Sequence, residues 1–304
     1  RNKVLFNIPT WSNFSPIKIK RLRGPNPKIQ RMQPKISQRT AQRRIPFLKM
    51  EGGGNDFILL NPEGYLQVRN QQLIQSWCDR HRGIGADGLI SIVDSETENT
   101  DFHMIYHNAD GSTDCFCGNG ARCAVAFARK LYSLPNRISF TAYDGLHQAI
   151  CHSSEDIEIS LRPVQSPEKI ESGFFVDTGS RHFSCQRDHL DGLNLYAEVS
   201  QWRYHKTFQP KGVNVNYWTE EPGGLYMRTF EKGVEAETLA CGTGIVAVAL
   251  TYHTILKKGP GPFEIQVRMK GGLFHVRAEH TTNGYRNIFL RGPVRHVFSG
   301  EMLL

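Results

Sequence analysis

Short apolar runs separated by glycine-rich polar turns dominate the chain after residue 45. Phe47-Leu48-Lys49-Met50 and Phe57-Ile58-Leu59-Leu60 flank Glu51-Gly52-Gly53-Gly54-Asn55-Asp56, a spacing that predicts strand, turn, strand. A helix is predicted over Asn70 to Asp79. Gly83-Ile84-Gly85-Ala86-Asp87-Gly88 then reads as a loop leading into the strand Leu89-Ile90-Ser91-Ile92-Val93. Strand Phe102 to Tyr106 enters the polar turn His107-Asn108-Ala109-Asp110-Gly111. Much later, strand Leu225 to Phe230 enters a turn around Glu231-Lys232-Gly233. Two stretches break this strand rhythm, Ala121 to Ala128 and Ile245 to Leu250; both are small and apolar enough to predict buried helices.

Each of those helices follows a cysteine turn, Cys117-Gly118-Asn119-Gly120 in one case and Cys241-Gly242-Thr243-Gly244 in the other. His107 and Glu231 each stand ten residues before their cysteine, so strand, polar turn and cysteine turn recur in the same order. The repeat predicts two similar halves, joined near residues 163 to 172, where Pro163 and Pro167 lie among charged residues. A cysteine at a helix N-terminus meets unpaired N–H groups and the positive end of the helix dipole. These favour the thiolate and lead us to expect a thiol pKa lowered to roughly 3.5–7.5. The glycines let a carboxylate approach the backbone amides, which makes each turn a potential anion cradle. Either turn alone reads equally well as an ordinary strand-to-helix turn with a structural cysteine. Two together, facing across a cleft, would hold one carboxylate with a thiol on either side. That arrangement suits inversion at a carbon: one thiolate removes the α-proton, and the opposite thiol protonates the other face. The chemistry demands no cofactor. Gly52-Gly53-Gly54 does not supply a phosphate loop, because the later Gly-Lys-Ser/Thr is missing.

Composition sets the frame. With 304 residues, 39% of them hydrophobic, the chain can bury a large core and divide into two domains. No apolar run approaches the roughly 18 residues that predict a membrane span, so we expect a soluble protein without a membrane partner. Seven cysteines spread over this length argue for a reducing compartment rather than a disulfide framework. Cys115, Cys117 and Cys123 lack zinc-ligand spacing, and Cys78, Cys151 and Cys185 supply no partner pair, so no metal is expected; Cys123 is expected in the core. The formal charge of +8 is concentrated at one end: residues 1–45 carry 12 of the 37 Lys and Arg and no Asp or Glu, leaving 25 basic against 29 acidic residues elsewhere. A nucleic-acid partner would rest on this arm alone, and none is expected. The arm also carries Pro9, Pro16, Pro25, Pro27 and Pro34, and is expected to be disordered. No apolar h-region predicts secretion. The cytoplasm is the expected setting, an organelle if the arm is a transit peptide; Met32 and Met50 are alternative starts.

The ordered series Gly54-Asn55-Asp56-Phe57, Gly85-Ala86-Asp87-Gly88, Asn108-Ala109-Asp110-Gly111, Cys117 to Cys123, Asp177-Thr178-Gly179, Val213-Asn214-Val215-Asn216 and Glu237 to Gly244 closely resembles diaminopimelate epimerase. Proline racemases share a Cys-Gly-Thr-Gly turn but have Cys-Gly-His in the other half. The resemblance implies an α/β (α+β) fold of two similar domains, each a mostly antiparallel sheet wrapped around a central helix. The expected division is a basic arm over 1–45, a first domain over 46–165 plus 292–304, and a second over 166–291. It also implies an active site between the domains, with Cys117 and Cys241 as the catalytic pair. The amides of Gly118, Asn119, Gly242 and Thr243 would hold the reacting carboxylate. Asn55, Asn108 and Asn214 match substrate contacts, Glu231 matches a glutamate near the reacting amino group, and His182 matches a histidine that assists near the cysteines. The family works without a cofactor on an amino-acid substrate, LL-2,6-diaminopimelate, converting it to the meso form, and often dimerises.

Two departures bear on the substrate. Gly179-Ser180-Arg181-His182 stands where many members have Gly-Asn-Pro-His, and Glu231-Lys232-Gly233 where they have Glu-Arg-Gly. Arginine grips a carboxylate with two parallel bonds and lysine offers a point charge, so Lys232 changes recognition of the substrate's far end unless Arg181 reaches into the cleft to compensate. Histidine or another amino acid thus stands as an alternative substrate.

Overall fold

The computed structural model describes residues 43–113 and 115–304; expectations for residues 1–42 lie outside the described residues. The first half runs β1 (Arg44–Gly52), β2 (Asn55–Leu60), α1 (Pro62–Val68), α2 (Gln71–Cys78), β3 (Gly88–Val93), β4 (Phe102–Asn108), α3 (Gly118–Leu131), β5 (Arg137–Ala142), β6 (Gly145–Cys151) and β7 (Asp156–Leu161). The second runs β8 (Glu168–Ile170), β9 (Gly173–Asp177), β10 (Arg181–Gln186), α4 (Leu195–Arg203), β11 (Asn214–Glu221), β12 (Gly224–Glu231), β13 (Ala236–Thr238), α5 (Gly242–Ile255), β14 (Gly261–Met269), β15 (Gly272–Thr281) and β16 (Gly284–Pro293), with β17 (Arg295–Leu303) closing the chain.

Seven strands of each half repeat the same series of pairing senses. From β1 to β7, successive neighbours pair antiparallel, parallel, antiparallel, parallel, antiparallel, antiparallel. The series β9, β10, β11, β12, β14, β15, β16 gives the same order. In each half the second parallel step is the crossover that contains the cysteine-capped helix, since parallel neighbours need a long connection. Pairing of β7 with β16, Ser160 opposite Phe289, joins the two ladders into one 17-stranded sheet, and β17 returns to pair with β1.

Each central helix is enclosed by its own half. Ile245 to Leu250 of α5 are wholly buried among residues of the later strands, as befits a helix apolar on every face. Helix α3 packs Ala121, Cys123, Ala124, Val125 and Ala128 against Phe57, Ile90, Phe102 and Ile159, so Cys123 is a core residue as expected. α2 matches its predicted span, with Asn70 as N-cap and Asp79 as C-cap. α1 was not expected; its seven residues are too few to show a period, and its signal is local, Asn61 as cap followed by Pro62. Residues 163–172, the expected junction of the halves, are held in the sheet. Val164 exchanges two backbone hydrogen bonds with Tyr285, and β8 pairs with β9. The arm also ends earlier than its predicted boundary, because Arg44 and Ile45 already pair with Leu303 and Met302.

Candidate active site

The two cysteine turns share one backbone conformation. Cys117 is the N-cap of α3 at φ −116°, ψ 109°, and Cys241 the N-cap of α5 at φ −129°, ψ 104°. Both place a thiol and the first unpaired helix amides side by side. The turns also meet: a Cβ built on Gly242 would lie 3.6 Å from Asn119 Oδ1 and 3.2 Å from Leu290 Cδ2. Glycine therefore keeps this junction open where a side chain would crowd it.

The thiols are not acidified. Burial pushes Cys117 up to about 11, outweighing the Gly120 N–H that its sulfur accepts at 3.4 Å. Burial pushes Cys241, 7% exposed, up to about 12, with the Glu231 carboxylate adding to the shift and the Thr243 hydroxyl opposing it. The lowered values expected from helix position are thus overturned, because desolvation of a buried thiolate exceeds what one helix terminus returns.

In the first half the polar residues form a chain of bonds. Arg122, fully buried and stacked 5.3 Å from the Phe274 ring centre, donates to Asn119 Oδ1 at 2.8 Å. Asn119 Nδ2 donates to Asn55 Oδ1 at 2.7 Å, and Asn55 Nδ2 to Asp87 Oδ2 at 2.9 Å. Arg80 bridges Asp87 and Asp56, at 2.7 and 2.6 Å, and Lys49 joins Asp56 at 2.7 Å. Asn108 lies apart from this chain, bonded to Tyr106, Ser112 and the Cys115 sulfur. Arg122, Asp87 and Arg80 carry no role that the sequence alone predicts. Asp87 lies in Gly85-Ala86-Asp87-Gly88 and Arg122 in Cys117 to Cys123, and those two motifs are their signal in the sequence.

In the second half His182 is fully buried, its Nε2 3.0 Å from Thr243 Oγ1 and its Nδ1 3.0 Å from Asn216 Nδ2. Burial drives its pKa down to about 3. Asn214 joins two other candidates, with Nδ2 donating to Arg181 O at 3.1 Å and Oδ1 accepting the Lys232 N–H at 2.8 Å. Burial raises the Glu231 carboxyl against the opposing Thr238 bond. Lys232 Nζ donates to Lys211 O at 3.1 Å. Arg181 does not compensate for Lys232 in the cleft: its Nη1 donates to Phe208 O and Gly212 O, at 3.0 and 3.1 Å, and its guanidinium lies 5.2 Å from the Phe175 ring centre.

Solved structures define the class of fold. A PhzF-family phenazine biosynthesis protein from Bacillus anthracis superposes with a TM-score of 0.64 at 14% identity, covering 86% of this chain and 100% of that one. A hydroxyproline epimerase from Agrobacterium vitis gives 0.62 at 15% identity, with 86% and 92% covered. Sequence carries the assignment further. The diaminopimelate epimerase family model matches residues 47–162 and 174–297. The chain is 38% identical over 258 residues to the diaminopimelate epimerase of Flavobacterium psychrophilum, covering 84% of this chain and 98% of that one. It is 38% identical over 268 residues to that of Chlorobaculum tepidum, covering 84% and 100%. The chain belongs to the diaminopimelate epimerase family.

Proposed function

We propose that the chain interconverts LL- and meso-2,6-diaminopimelate, a step towards lysine, with Cys117 and Cys241 as its acid–base pair. The observation that carries the reading is the meeting of two cysteine-capped helix N-termini at Gly242 and Asn119. The amides of Gly118, Asn119, Gly242 and Thr243 hold the reacting carboxylate, whose charge the two helix dipoles favour. One cysteine, as thiolate, takes the α-proton. The other, as thiol, delivers a proton to the opposite face, and the reverse reaction exchanges the roles. Exclusion of water keeps the carbanion's stabilisation electrostatic and local. Glu231, raised by burial and close enough to affect Cys241, faces the reacting ammonium group; Asn55, Asn108 and Asn214 contact the substrate, and Lys232 offers a point charge to its distal carboxylate.

We further propose the division into a first domain over 46–165 plus 292–304 and a second over 166–291, supported by a separate core around each central helix. Among the described residues β17 pairs only with β1, and Val297 and Phe298 on it are 50% and 44% exposed. Such an edge suits a homodimer. No helix among the described residues is long and apolar enough to cross a membrane. We place the reaction in the cytoplasm, where seven unpaired thiols stay reduced.

The test is stereochemical. Reduced enzyme is incubated with LL-diaminopimelate, histidine, proline or lysine, and the products are separated on a chiral column. Inversion of diaminopimelate alone supports the assignment. Inversion of another amino acid in preference would trace to Lys232 and reject the substrate assigned here.

A further inference from the structure

The hydrogen-bond directions around His182 can be fixed one by one. The Asn216 side-chain nitrogen lies 3.3 Å from Phe183 O and 3.0 Å from His182 Nδ1. A carbonyl oxygen only accepts, so the amide must present its NH2 there, leaving Asn216 Oδ1 to accept the Thr229 hydroxyl at 2.9 Å. His182 Nδ1, facing an N–H, is therefore an acceptor. A neutral imidazole carries its one proton on the other nitrogen, and Nε2–H donates to Thr243 Oγ1 at 3.0 Å. An imidazolium would set N–H against N–H in a fully buried pocket. Thr243 Oγ1 receives the His182 hydrogen, which leaves its own hydrogen free to point at Cys241 Sγ, 3.6 Å away, once that sulfur is a thiolate and can only accept.

We propose that the Thr243 hydroxyl, aimed by a permanently neutral His182 with Asn216 and Thr229 behind it, donates to Cys241 Sγ and stabilises its thiolate. His182 is on this account a positioning residue and exchanges no proton with the substrate. The two halves solve the same problem differently. Cys117 accepts the Gly120 N–H as a side-chain cap at 3.4 Å, whereas the matching Gly244 amide acts on Cys241 less than the Thr243 hydroxyl does. Asn119, at the place equivalent to Thr243, is tied instead to Asn55 and Arg122. Glu231 on β12 and Cys117 at the head of α3 disfavour charge on Cys241, while Thr243 and, to a smaller extent, the Gly244 amide favour it. The geometry stands on its own; its catalytic consequence rests on the two-thiol reading.

Alkylation of Cys241 separates the two. In the full chain carrying Cys117→Ser, without substrate, iodoacetamide modification of Cys241 is followed by peptide mass spectrometry between pH 7 and 10. Thr243→Val, nearly isosteric, lowers the rate about tenfold at each pH by removing a bond to the charged form, and Thr243→Ser restores it. His182→Leu lowers the rate as well. His182→Gln, whose amide NH2 reaches the place of Nε2, recovers it, and in the Cys117 parent the same change restores kcat lost in His182→Leu. An unmoved rate in Thr243→Val overturns the proposal. So does His182→Gln falling as far as His182→Leu, which would make the imidazole itself the base. If the alkylation pattern holds but diaminopimelate is not inverted, the hydroxyl geometry stands and the substrate assignment falls.

Discussion

Burial, more than helix position, governs the ionisable side chains that matter here. Unfolded thiols ionise near 9, whereas in the fold burial holds Cys117 and Cys78 at about 11 and Cys241 at about 12. A group whose pKa is raised on folding favours the fold below the unfolded value and loses that contribution as pH climbs to the folded one. The thermal midpoint of the reduced chain is therefore expected to fall between pH 9 and 11, read by calorimetry; a flat profile would deny that the thiols are desolvated. Asp56 runs the other way. Burial would raise it, but its bonds to Arg80 and Lys49 prevail and hold it down to about 2. Its contribution is present above pH 4 and fades as pH falls towards 2. Asp56→Asn leaves the nearly buried Lys49 bonded to Gly85 O but without its carboxylate, and is expected to cost about 3 kcal/mol in urea unfolding at pH 7, with loss of the acid-side slope. Cys117 and Cys241 were legible in the chain because the turn that positions each is local. The neutral state of His182 was not, since it depends on an Asn216 amide 34 positions away in sequence and on which end of that amide faces the ring.

The duplicated unit explains why elements were easier to read than their ends. Strand, turn, cysteine, helix recurs with matching pairing senses, and both central helices run for 14 residues from a cysteine cap. Apolar runs such as Leu89 to Val93 identify a strand; they do not say that β2 and β3 pair in parallel, because that is decided by the α1–α2 crossover between them. Caps fix the short helices. Asn70 Oδ1 accepts the Leu73 N–H at 3.1 Å to start α2, whose Ile74 and Trp77 are buried. Asn70→Ala is expected to lower stability by about 1 kcal/mol, and an unaltered denaturation midpoint would discount the cap.

Across the whole molecule the β7–β16 ladder couples the halves, and Arg122 of the first packs on Phe274 of the second. The Leu304 N–H is bonded to Arg43 O where β1 begins and β17 ends. The diaminopimelate epimerase family match begins at residue 47, so a chain starting at Arg43 is expected to keep its full turnover, measured beside the longer one, and a loss would give the basic arm a catalytic part. Contacts of this range could not be seen in the sequence, where the repeat gave only the likeness of the halves. The central claim, two opposed thiols acting on diaminopimelate, is tested most directly by α-proton exchange. Reduced enzyme in D2O is given LL-diaminopimelate, and deuterium uptake and inversion are followed by NMR for the parent, Cys117→Ala and Cys241→Ala. The account predicts uptake with inversion in the parent and loss of inversion in both variants; inversion surviving the removal of either thiol would contradict it.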